Sequence, residues 1–245
     1  MRERPVLVAP GPFAELPAPA VAGAIGRGLE RAGLMPPDLC PVTTGGPGTI
    51  AVLLPRLGGE TAGDVALLED GGVALVEGAE QLGAGETGAA AVAAAERIAA
   101  AAATGAPVVV VAAGAAPPPP RLPRGPRVMV LCDRDTPREA WAAAGAILEP
   151  GLPWILDALG FDPRMRAARA VITGEALLDE RTLAGGVVGE IGTRARQAGV
   201  PLHALVGADA LDGFGKRIVD LQVVREAGSA AALEAVAEEL GAALA

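Results

Sequence analysis

The chain has 245 residues and a formal charge of −9, with 51% hydrophobic and only 2% aromatic residues. The acidic balance argues against a nucleic-acid surface, which needs a basic stripe, and no stretch reads as a membrane span. A sizeable core is available, but with no Tyr it has to be closely packed Ala, Val, Leu and Ile.

In chain order, "PVLVAP" (5–10) predicts a strand and 18–32 a helix; the strand-like "DLCPV" leads into "TTGGPGT" (43–49). Further strands are predicted at 73–78, 108–113, 127–132, 170–173, 202–207 and 218–224, and helices at 88–103, 137–147, 182–198 and 229–244. "AAPPPPRLPRG" (115–125) is a stiff, extended connection. Continuous apolar strands point to a parallel sheet buried on both faces. The alternation predicts an α/β fold: a doubly wound, mostly parallel sheet with helices on both faces. One domain over 1–245 is expected, with 108–112 and 202–206 in it together. Ligands of such sheets bind beyond the strand carboxyl ends, so the loops at 10–14, 44–49, 132–136 and 173–179 are expected to converge on one rim.

Three loops carry candidate chemistry. The amides around Gly45, Gly46, Gly48 and Thr49 could cradle phosphate, though no P-loop Lys is present and, taken alone, a tight turn explains the glycines better. In "CDRDTP", Asp133 and Asp135 follow an apolar strand; they could hold Mg²⁺ or act as a base, while Thr136 and Pro137 could cap and open a helix. In "TGEALLDERT", Gly174 and Glu175 follow a buried strand, and Asp179 or Glu180 could stabilise the helix beginning near Thr182. His203 is the only histidine and sits in a strand pattern, which reads as structural; no triad and no zinc cluster can be built. Cys40 and Cys132 lack CxxC partners, consistent with a reducing compartment. The apolar run at the N-terminus is too short for a signal peptide, so a cytoplasmic location is expected.

These segments resemble, in order, the bacterial type of glycerate kinase. That family has motifs close to APDSFKGS, PVADGGEGT, CDVDNPL, PGIELVLEALG, ADLVITGEGRLDGQTLAGKAP and GVPVIALAG. Here they read "APGPFAEL", "PVTTGGPGT", "CDRDTPR", "PGLPWILDALG" (150–160), "ARAVITGEALLDERTLAGGVV" and "GVPLHALVG" (199–207). The resemblance implies an α/β fold and transfer of the ATP γ-phosphoryl group to D-glycerate with Mg²⁺. It carries over Asp133, Glu175 and Asp179 as catalytic, Asp133 and Asp135 as metal ligands, and Gly45, Gly46, Gly48, Thr49, Gly174 and Thr182 as ligand-binding. Arg181 is added as a substitute cation.

The departures fall on the chemistry. Family members are longer, and the missing length is central, so the second, smaller domain is expected to be reduced or absent, with 115–125 replacing a family loop and insert. Ala14, Leu177 and Gly186 stand where the related motifs have cations, and Thr44 and Pro47 where they have acids. Phosphoryl transfer depends on charge neutralisation, and Arg134 and Arg181 are the only nearby cations legible in sequence. Two readings follow: a minimal glycerate kinase using ATP and Mg²⁺, or a non-catalytic protein on the same fold that binds a small carboxylate such as glycerate or regulates a partner. A homodimer is one expected assembly.

Overall fold

The computed structural model describes residues 4–13, 15–78 and 87–245. They cluster into two compact units, Met1–Val42 with Gly160–Ala245, and Thr43–Leu159.

The first unit is built on a parallel sheet with strand order Leu221–Glu226, Leu202–Val206, Ala170–Gly174, Val6–Pro10, Asp38–Leu39. All residues of the three central strands are buried, as their unbroken apolar runs require. Val6, Val8, Ile172 and Leu205 share one core with Val21, Ile25 and Leu29 of helix Ala18–Arg31 and Leu233, Ala237 and Leu240 of helix Ala230–Leu244. Alternation turns Leu7 and Val171, also fully buried, to the other face. Helix Val187–Ala198 packs against the strands Ala170–Gly174 and Leu202–Val206. A short parallel ribbon, Leu177–Leu178 with Ala208–Asp209, extends the loops at the strand carboxyl ends.

The second unit has its own six-stranded sheet, in sequential order Glu60–Ala62, Val65–Leu68, Val73–Glu77, Val108–Ala112, Arg127–Cys132 and Ile147–Pro150. The first two pairings are antiparallel and the rest parallel. Its core gathers Val76, Val109, Val111 and Val130 with Ile98 of helix Thr87–Ala103 and the fully buried Trp141. The Trp141 indole donates to the Ala116 carbonyl at 2.9 Å, which satisfies its only polar atom.

The α/β class and the mostly parallel strands are as expected. The expectation that 108–112 and 202–206 lie in one domain is corrected: they belong to different sheets and different units. Alternation reports that strands are buried and not which strands pair, and each sheet closes its own core. Local boundaries also shift. Gly185, at φ 100°, ends the turn Glu180–Ala184 before the helix starts at Val187. Gly145, at φ 90°, follows the end of helix Arg138–Ala143 and precedes a strand at Ile147–Pro150.

Candidate functional site

In the first unit two of the expected loops meet. The Gly11 N–H donates to the Gly174 carbonyl at 2.8 Å, so 10–13 and 173–179 leave the sheet side by side; Ala14 lies outside the described residues. A side chain at Gly174 would place Cβ 2.0 Å from the Leu205 carbonyl oxygen, so close strand packing demands glycine there. Glu175 follows, half-buried, and its Oε1 accepts a short hydrogen bond from the Thr182 hydroxyl. Thr182 is buried, and its oxygen also accepts from the Asp179 N–H at 3.3 Å. Asp179 caps the turn Glu180–Ala184: Oδ1 accepts from the Arg181 N–H at 2.9 Å, and Oδ2 pairs with the Arg181 guanidinium at 2.6 Å. The expected stabilisation by Asp179 or Glu180 of a helix near Thr182 takes the form of an Asp179 cap on this short turn, the helix itself starting at Val187. It ties Arg181 to an acid of its own loop.

Two further residues at this edge escaped the sequence reading. Asp209 pairs with Leu178 across the short ribbon, and its Oδ2 lies 2.6 Å from Lys216 Nζ. Lys216 is the chain's only lysine. Arg134 and Arg181 are therefore not the only cations near these loops. The available signal was that lone lysine, seven residues after Asp209.

In the second unit the glycine loop meets the aspartate loop. Gly45, at φ 102°, takes a left-handed conformation open to glycine, and a Cβ there would press on Leu131 and Gly151. The Thr49 hydroxyl, fully buried, donates to the Gly46 carbonyl at 2.6 Å and lies 3.0 Å from the Thr43 hydroxyl. Gly48 precedes helix Thr49–Leu57, and the Ile50 N–H at that helix start is taken at 2.7 Å by Glu77 Oε1.

Asp133 closes its own turn. Its Oδ1 accepts from the Asp135 N–H and the Thr136 hydroxyl, both at 2.9 Å, and the Thr136 oxygen accepts from the Asp133 N–H at 3.0 Å. Thr136 is thus engaged with Asp133 rather than capping the next helix, where Pro137 is the cap residue without a side-chain bond. Asp133 Oδ2 sits beside Gly46, 3.3 Å from where a Cβ would stand, and Asp135 is exposed. The "DRDT" and "DERT" loops use one device: an aspartate and a threonine three residues on, holding each other across a turn. Among the described residues no group of three or more His, Cys, Asp and Glu could hold a metal ion.

The fold and these loops define an α/β protein whose polar residues cluster at strand carboxyl ends. Residues 139–239 match the glycerate kinase family, a span that holds Glu175, Asp179, Arg181 and Thr182 but not Asp133 or the glycine loop. The fold is similar to the crystal structure of "putative glycerate kinase 2 from Salmonella typhimurium LT2", with a TM-score of 0.71 and 16% identity, over 99% of this chain and 98% of that chain. At that identity the likeness is one of fold. No curated protein matches the chain. The likeness to the glycerate kinase family is thus carried by residues 139–239, and the likeness over the whole chain is one of fold.

Proposed function

We propose that the chain binds a small hydroxy-carboxylate such as glycerate and that its ATP-dependent phosphorylation of D-glycerate is weak or lost. Glu77 carries this reading. Its carboxylate holds the Ile50 N–H, so a protein anion already sits where the glycine loop would offer helix amides to phosphate. The glycerate kinase family implies ATP use in general, but this loop does not fit a phosphate. Leu177 and Gly186 supply no charge where the related motifs have cations, and Arg181 is paired with Asp179.

The donor set does not fit a resident metal. Mg²⁺ arriving on a ligand's own phosphates needs only one or two carboxylates, and Asp133 and Asp135 are the assigned pair. Glu175, oriented by Thr182, and Asp133, oriented by Thr136, are each assigned to accept a ligand hydroxyl in their own unit. Asp179, Arg181 and Thr182 hold the turn that presents Glu175. Gly45, Gly46, Gly48, Thr49 and Gly174 shape the backbone. A cytoplasmic compartment and a homodimer as one assembly belong to the same proposal.

The test is a coupled ADP-release assay with Mg²⁺, ATP and D-glycerate, run beside thermal unfolding with D-glycerate alone. The expected result is turnover several decades below the ordinary kinase range of about 1–100 per second, with the melting temperature raised by D-glycerate in the absence of ATP. Turnover inside that range, abolished in Asp133→Ala and Glu175→Ala, would replace this reading with a working kinase.

A further inference from the structure

A cavity of about 580 Å³ opens at the carboxyl end of strand Arg127–Cys132, lined by Asp133, Arg134, Thr136, Pro137, Arg138 and Glu139 among others. Its volume lies inside the range of about 300–1,000 Å³ typical of small-molecule sites. Neither the Arg134 nor the Arg138 guanidinium makes a hydrogen bond or ion pair among the described residues. Three other arginines of the second half of the chain are committed to acids: Arg164 to Asp38, Arg181 to Asp179, Arg194 to Glu190 and Asp162. Asp133 is spent on one side only. Oδ1 carries both bonds of the turn, while Oδ2 carries none among the described residues and is not sealed from solvent.

The backbone between the two arginines is fixed. Thr136 locks it to Asp133 on one side, and Pro137 allows a single narrow φ range. Arg134 and Arg138 also stand where the related "CDVDNPL" pattern carries Val and Leu, so this chain lacks cations at Leu177 and Gly186 and carries two here. Guanidinium groups without partners, beside a carboxylate with one open oxygen, match a ligand that presents an oxyanion next to a hydroxyl: two planar donors for the former, one acceptor for the latter.

We infer that Arg134 and Arg138 form an oxyanion seat beside Asp133, taking the carboxylate or phosphate of a small hydroxylated acid. This rests on the small-ligand reading above and names the groups that recognise the ligand's charge. The two oxyanion sources are separated by the probes: D-glycerate offers only a carboxylate, 3-phospho-D-glycerate both groups, and inorganic phosphate only the second.

Calorimetric titration of the full chain with each probe tests the assignment, in the parent, Arg134→Gln/Arg138→Gln, Glu175→Gln, and Arg121→Gln as an exposed control arginine. Circular dichroism confirms that each variant is folded. The expected result is saturable binding of at least one probe to the parent, weakened roughly 10- to 100-fold in the double variant and unchanged in Arg121→Gln. Partial recovery in Arg134→Lys/Arg138→Lys would further support a charge-specific seat. Binding that persists in the double variant but falls in Glu175→Gln overturns the seat and leaves the small-carboxylate reading standing. Binding of phosphate or 3-phospho-D-glycerate but not D-glycerate, lost in the double variant, supports the seat and overturns glycerate as the ligand. Absence of binding by all three probes overturns both.

Discussion

His203 is 6% exposed, and both of its ring nitrogens are buried without a hydrogen-bond partner. Burial lowers its pKa below the ordinary 6.5, because the protonated ring would sit in an apolar layer. The unfolded chain then takes up a proton that the folded one refuses. Stability is complete above about pH 6.5 and drains away as pH falls below it toward the depressed folded value. Melting temperatures at pH 7.5 and 5.5 should therefore differ less in His203→Leu than in the parent; an equal difference would show that other groups set the acid limb. Thr182 makes a different residue-scale case. Its hydroxyl is the shared partner of Glu175 and the Asp179 N–H, so Thr182→Val, which keeps the shape, should cost about 1–3 kcal/mol in urea unfolding. Here the sequence was half legible. An acid acting at the start of the next element followed from the positions of Asp179 and Glu180, but the commitment of Arg181 to Asp179 did not, because an ion pair two residues apart depends on rotamers that no spacing rule encodes. The matching "DRDT" and "DERT" turns were readable in principle, since an aspartate with a threonine three residues on is a local hydrogen-bonding pattern.

Helices Ala18–Arg31 and Ala230–Leu244 come together over a glycine. A Cβ at Gly28 would stand 2.2 Å from the Glu234 carbonyl oxygen and 2.7 Å from the Ala237 Cβ, so the helix backbones are nearly in contact. Arg27 and Arg31 close the exposed rim on Glu234 and Glu238, but such surface pairs contribute little beside the close packing they border. Gly28→Ala is expected to lose about 1–3 kcal/mol through forced separation of the helices. Gly23→Ala, in the same helix with only the Arg27 guanidinium 3.5 Å away, is expected to be neutral or to gain about 0.5–1 kcal/mol from helix propensity. Urea unfolding of the two variants reads the contrast, and equal losses would remove the packing argument. Elements with unbroken apolar runs, such as 108–112 and 202–206, were legible because burial on both faces leaves only one pattern. The hairpin of Glu60–Ala62 and Val65–Leu68 was not: its first strand is wholly exposed and short, so no alternation marks it. Helix Thr49–Leu57 was hidden by Pro55 in its interior.

At the scale of the whole chain, the alternating pattern fixed the class of fold and concealed its partition. A reader of the sequence sees strands and helices follow one another across residue 43 and again across 160 without a linker. The structure shows the chain leaving the first sheet after Asp38–Leu39 and resuming it at Ala170–Gly174, with a second sheet completed in between. Within Thr43–Leu159 the two ends come back together: a Cβ on Gly151 would lie 2.0 Å from the Thr44 carbonyl oxygen. Every strand pairing of the six-stranded sheet is internal to the segment, and so is its core around Ile98 and Trp141. The segment falls within the usual domain range of ~50–200 residues. Closed ends, internal pairing and a private core are the physical conditions for autonomous folding. Residues 43–159 expressed alone, carrying Trp154→Phe so that Trp141 is the sole tryptophan, should therefore give a mixed helix–strand circular dichroism spectrum and a single cooperative urea transition, with Trp141 emission shifting to the red as its indole leaves the Ala116 carbonyl and the core. A gradual transition, or a red-shifted emission before denaturant is added, would show that this core does not hold without the rest of the chain.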